Sequence, residues 1–135
     1  MPFFELVNPE AFGAPKGFSH GVLAAANGRL LFVASQTGWS DGGRAPDFAT
    51  QFARSLDQVL AVVKEAGGAG TDVVRLTVYV TDLAAYRSSR AALGEIWKQR
   101  FGRYYPAMTL VEAKGLVDEG AMVEIEGTAV IGGKG

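Results

Sequence analysis

Residues 73–82, VVRLTVYVTD, alternate without a break. Val74, Leu76, Val78 and Val80 fall on one side, and Arg75, Thr77 and Tyr79 on the other. That period of two belongs to a strand with one buried face. Thr81-Asp82 then supplies the side-chain oxygens that open a helix. Tyr86, Leu93, Trp97 and Phe101 carry the helical pattern on to Gly102. Before the strand lies a second helix. Asp47 sits at its N-cap, Phe48, Phe52, Leu56, Val59 and Val63 follow at steps of three and four, and Gly67-Gly68 stops it.

Outward from this centre the elements shorten. Toward the N-terminus, Phe3 to Val7 reads as an opening strand, and Gly13, Pro15 and Gly17 mark an irregular loop. Gly21 to Ala26 and Leu30 to Ser35 flank Asn27-Gly28 as a predicted β-hairpin, because a type I′ turn needs positive φ at both central positions. Gly38 to Pro46 is a polar, glycine-rich loop. Toward the C-terminus, Ala107 to Glu112 and Met122 to Val130 read as strands around a loop at residues 115–120. The order is three strands, helix, strand, helix, two strands. It predicts one α+β domain over residues 1–135, a single mixed β-sheet with two helices packed on one face. The opposite face is then left to solvent or to another subunit.

Composition narrows the chemistry. Cys is absent, which excludes disulfides, thiolate nucleophiles and cysteine metal sites. His20 is the one histidine, so a metal centre built on two or more histidines is excluded as well. Composition leaves open a carboxylate site for magnesium or calcium. A net charge of -1 gives no electrostatic case for nucleic acid or an anionic membrane. No basic-then-apolar leader opens the sequence and no apolar run nears the ~20 residues that span a bilayer, so a soluble, cytoplasmic protein is expected.

Several residues invite a chemical reading. Glu124 and Glu126 share one strand face roughly 7 Å apart, as a general acid or base would require or as any solvated strand face would show. Ser19 and His20 are adjacent strand residues that point to opposite faces, so they form no nucleophile–base pair, and the chain has no G-x-S-x-G elbow. Gly67, Gly68 and Gly70 follow a helix rather than a strand, and Gly38, Gly42 and Gly43 lack the Lys-Ser/Thr ending of a phosphate loop. Trp39 is a loop aromatic, which reads as a pocket wall or subunit interface or equally as ordinary loop packing. Arg100, Arg103, Tyr104 and Tyr105 form a small basic–aromatic cluster of the kind that stacks on RNA bases, against which the charge balance stands.

The C-terminal strands carry a more specific signal. Residues 105–112, YPAMTLVE, followed by residues 123–129, VEIEGTA, resemble the Rid family of reactive-intermediate deaminases, also called the YjgF family. Residues 17–21 (GFSHG), 31–36 (LFVASQ) and 73–83 (VVRLTVYVTDL) agree in the same order. The resemblance implies a chorismate-mutase-like fold and a homotrimer with three clefts between neighbouring subunits. It also implies cofactor-free hydrolysis of an imine or enamine to a carbonyl compound and ammonia. Glu124 matches the acidic residue that positions the attacking water. The family arginine that holds a substrate carboxylate is replaced by Met108, and the tyrosine over the substrate by Phe18.

Without that arginine, a larger or less charged substrate than 2-aminoacrylate is expected, such as a 2-aminomuconate-like catabolic intermediate. Phe18, Gln36, Trp39, Met108, Thr109 and Leu110 are the expected substrate contacts, and His20 a second proton-transfer group. Arg103, Arg44, Lys16 and His20 are the candidates to replace the lost cation. The alternative reading is a non-catalytic trimer that binds a metabolite or a partner through the same clefts. A third is ribonuclease or translation-inhibitor activity.

Overall fold

The computed structural model describes residues 4–24, 27–39, 43 and 45–132. Strands β1 (Phe4–Val7), β2 (Gly21–Ala24) and β3 (Arg29–Gln36) precede helix α1 (Phe48–Glu65). Then come β4 (Val73–Val80), α2 (Leu83–Ser88), α3 (Arg90–Phe101), β5 (Ala107–Glu112) and β6 (Val123–Ile131). Four strands form a mixed sheet in the order β3-β6-β4-β5. β6 runs antiparallel to both β3 and β4, while β5 lies parallel to β4. A parallel step needs a crossover, which α2 and α3 supply.

The alternation of residues 73–80 decides what packs where. Leu76, Val78 and Val80 face inward with Val123, Ile125 and Ala129 of β6. They pack against Leu56, Val59 and Val63 of α1 and Leu93, Trp97 and Phe101 of α3. Gly127 permits the close approach, since a Cβ there would stand 2.9 Å from the Leu76 side chain. Both ends of α1 follow the sequence. The Asp47 carboxylate accepts hydrogen bonds from the Thr50 amide at 2.9 Å and hydroxyl at 2.7 Å. At the other end Gly67 adopts φ +91° and the Gly68 amide donates to the Val63 carbonyl at 2.9 Å.

Two expectations are corrected. Among the described residues β2 pairs with β1, Phe4 to Val7 opposite Ala24 to Gly21, and β3 pairs with β6. The predicted 21–35 hairpin is therefore not the pairing found, and the mixed sheet has four strands beside a separate two-stranded ribbon. Burial chooses the partners: β6 offers inward side chains that pack beside Leu31 and Val33 of β3, whereas the described residues of β2 are half-buried or exposed. Phe3, Ala25 and Ala26, which the sequence reading placed in strands, lie outside the described residues. The second helix is also interrupted. The Ser88 and Ser89 hydroxyls donate to the Ala85 carbonyl at 3.2 and 2.7 Å. These bonds compete with the helical ladder and divide one predicted helix into α2 and α3.

The helices cover one face of the sheet, as the alternation requires. The other face presents Leu30 and Phe32 of β3, Arg75, Thr77 and Tyr79 of β4, and Glu124, Glu126 and Thr128 of β6. Phe32 is 73% exposed there. Among the described residues no helix is long and apolar enough to cross a membrane.

Candidate active site

Glu124 and Glu126 share the open face, but their surroundings differ. Tyr79 donates its hydroxyl to Glu126 Oε1 at 2.8 Å, a bond that also raises the tyrosine pKa. Glu124 has no hydrogen-bond partner among the described residues. Its pKa is raised, first by burial and then by the negative charges of Asp118 and Glu126. An unengaged, half-buried carboxylate with a raised pKa is a better proton acceptor than a solvated one.

The loop that carries Asp118 is fixed from the core. Buried Gln51 donates from Nε2 to the carbonyls of Ala45 at 2.8 Å and Gly120 at 3.2 Å. Its Oε1 accepts the Met122 amide at 2.8 Å. From β3, the Thr37 hydroxyl donates to Asp118 Oδ2 at 3.1 Å. Trp39 is set close by: Gln58 accepts the Gly38 amide at 2.9 Å and donates to the Trp39 carbonyl at 2.5 Å. Gly38, at φ +74°, packs so tightly on α1 that a Cβ would come within 2.8 Å of the Gln51 carbonyl. Trp39 then lines an open groove with Val117, Asp118 and Glu119. Gln36 lies across from Ile125, with its amide donating to the Ala34 carbonyl at 3.1 Å. Glu124, Gln36 and Trp39 thus gather at one end of the sheet.

A second group forms at the β5 edge. The Ser19 amide donates to the Pro106 carbonyl at 2.9 Å and its hydroxyl to the Tyr105 carbonyl at 2.5 Å, which staples residues 16–20 beside Met108. Phe18, His20, Met108 and Thr109 line one cavity of about 400 Å³ together with Arg75. The His20 ring stands edge-on to Phe12 and Phe18, at 5.3 and 5.0 Å between ring centres.

Met108 also lies between the sheet and the helices. It pairs with the inward Leu76, and with Leu110 it borders a cavity of about 390 Å³ beneath α2 and α3. Phe52, Val78, Leu93, Trp97 and Tyr105 give that cavity apolar walls, and Lys16, Tyr86, Arg90 and Gly94 surround its mouth. Trp97 holds the wall in place by stacking on Phe101 and Tyr105 and by donating its indole N–H to the Tyr104 carbonyl at 3.0 Å.

The structure therefore brings Phe18, His20, Met108 and Thr109 together, places Leu110 on the helix side with Met108, and leaves Glu124, Gln36 and Trp39 apart. Glu124 is level with Val111 through Tyr79, so Met108 stands three residues along and two strands across, about 14 Å away. Arg103 is exposed in the turn after α3 and does not line the helix-side cavity, and Arg44 lies outside the described residues. Lys16 does line it. Arg90 was not among the sequence candidates, since a solvent-facing helix arginine has no distinguishing motif. The spacing that marks it is Tyr86, Arg90 and Gly94 at intervals of four, with a glycine inside a helix.

Comparison with known proteins is consistent with this geometry. A family model described as Endoribonuclease L-PSP matches residues 9–131. A 2-iminobutanoate/2-iminopropanoate deaminase of Escherichia coli is 36% identical over 89 residues, which cover 65% of this chain and 68% of the enzyme. The crystal structure of YyfB, a Rid-family protein of unknown function from Yersinia pestis, superimposes with a TM-score of 0.83 at 30% identity, covering 96% of this chain and 99% of that one. The structure of E. coli TdcF with bound serine superimposes with a TM-score of 0.66 at 28% identity, covering 87% and 91%.

Proposed function

This chain belongs to the endoribonuclease L-PSP family, the YjgF/Rid family, and from that premise we propose that it is an imine or enamine deaminase. The reaction adds water across a C=N bond and releases a carbonyl compound and ammonia. The observation that carries this reading is Glu124, half-buried on the open face, whose carboxylate has no hydrogen-bond partner among the described residues and whose pKa is raised. Glu124 takes a proton from the attacking water as its oxygen bonds to the imine carbon. The proton passes to nitrogen to give the carbinolamine; its hydroxyl proton is then transferred to the amine as the oxygen forms the C=O bond, the C–N bond breaks, and ammonia leaves. His20, beside Met108, is the second proton-transfer group.

The reading includes a homotrimer. Glu124 and Met108 lie about 14 Å apart on different faces of one sheet, too far for one small substrate to touch both. In a cleft between copies, the Glu124 end of one subunit meets the Met108 edge of the next. Phe18, Gln36, Met108 and Thr109 shape that cleft, Trp39 closes its rim, and Leu110 backs Met108 from the helix side. The substrate is an imine or enamine larger or less charged than 2-aminoacrylate, with a 2-aminomuconate-like compound as one model. RNA is disfavoured because a net charge of -1 offers a polyanion no counterion release.

Ammonia release from imines generated in situ and from 2-aminomuconate tests this. Wild-type release with a loss of roughly 100-fold or more in Glu124→Gln is expected, the scale of a lost general base. Equal turnover in the two proteins, or none in either, refutes it.

A further inference from the structure

The helix-side cavity has an apolar interior and a cationic mouth. Arg90 opens α3, and its guanidinium carbon lies 5.7 Å from the centre of the Tyr86 ring. That contact steadies the guanidinium plane while leaving its N–H edge to donate. No described residue forms an ion pair with Arg90, and it is exposed to solvent. Lys16 reaches the same rim because the Ser19 staple fixes its loop there. Two cations thus border a space whose described lining includes no carboxylate and whose floor is Met108 and Leu110.

Gly94 adds an independent observation. It lies inside α3, where glycine costs roughly 1 kcal/mol relative to alanine. Packing does not require it, because a Cβ at Gly94 would meet nothing within 4 Å. What the glycine preserves is open volume, one helical turn beyond Arg90 and on the same side of the helix.

We propose that Arg90, with Lys16 beside it, binds a substrate carboxylate at the mouth of this cavity, and that Gly94 keeps room for a bulky apolar or aryl side chain. The substrate is then an imino acid with a large apolar group. Its carboxylate takes a bidentate contact from Arg90, its side chain lies against Met108, Leu110 and Trp97, and its C=N carbon is left toward the subunit cleft. This rests on the deaminase reading for the reaction but not for the binding.

Phenylpyruvate, the stable carbonyl product of such a substrate, is the probe, with neutral phenylpyruvamide as its control. Titration calorimetry on the intact protein is expected to show wild type preferring the acid. Arg90→Met removes that preference, weakening phenylpyruvate about tenfold or more while leaving the amide unchanged, as loss of a charge-assisted contact requires. Gly94→Leu weakens both ligands, and Arg75→Met weakens neither. The proposal is overturned if wild type does not bind phenylpyruvate, if Arg90→Met leaves its affinity intact, or if the loss follows Arg75 of the neighbouring cavity. Ammonia release, assayed separately, divides the two ideas. Arg90-dependent binding without release retains the anchor and removes the deaminase, and release insensitive to Arg90 does the reverse.

Discussion

Ile125 and Glu124 are neighbours on one strand, yet they belong to two different economies of the molecule. The helix-covered face of the sheet is a continuous apolar layer in which Leu76, Val78, Val123 and Ile125 have no solvent exposure worth the name. The open face mixes Phe32, Arg75, Thr77, Tyr79 and two carboxylates. Burial governs the first face, where residues are exchangeable if their volume is kept. Chemistry governs the second, where Glu124 and Glu126 share a charge and differ in what they touch. Strand alternation lets a single run of nine residues serve both ends without compromise.

The sharpest way to break this contrast is to change the two neighbours in turn. Ile125→Ala leaves a void against α1 and is expected to cost about 3 kcal/mol or more, read as a lowered urea midpoint at unchanged slope. Glu124→Gln is expected to leave stability intact while removing turnover. A carboxyl whose pKa rises on folding holds its proton more tightly in the native state, so its ionised form disfavours folding. Stability therefore falls as pH climbs from the ordinary carboxylate range through the raised Glu124 pKa. Above that interval Glu124→Gln should melt no lower than wild type, and a lower melting point at neutral pH would contradict the burial and charge effects assigned here.

Asp118→Asn sharpens the same comparison from a distance. Removing a negative charge lets Glu124 ionise more easily, so the acid limb of the rate profile should move to lower pH. A shift to higher pH, or none, would mean that Asp118 does not act on the reacting carboxylate. The smallest effect belongs to the helix side. Ser55 is fully buried in α1, and its hydroxyl has no hydrogen-bond partner among the described residues. Ser55→Ala should be neutral or stabilising by up to ~1 kcal/mol in the same denaturation assay, because removing an unpaired polar atom recovers its desolvation cost.

The same division sets what could be read in the sequence. Local signals were legible: Asp47 as a cap, Gly67-Gly68 as a stop, and the alternation of residues 73–80 all act within one turn or one strand. Pairing partners were not, because β3 takes β6 rather than β2 for reasons of burial across the whole chain. The interruption at Ser89 depends on where two hydroxyls turn, which a helical pattern does not encode. Among the site residues, the strand face shared by Glu124 and Glu126 was evident from spacing. The difference between them was not, since it comes from Tyr79 on another strand. Arg90 escaped notice because its surroundings, rather than its type, distinguish it.

The strand order also sets a timetable. β6 is the central strand that joins β3 to β4, and among the described strands it comes last in chain order. Until it emerges, β3 has no partner in the four-stranded sheet, and Leu30 and Phe32 wait on an unpaired edge. A chain that stops between residues 112 and 123 therefore leaves the edges of β3 and β4 that face β6 without their sheet partner.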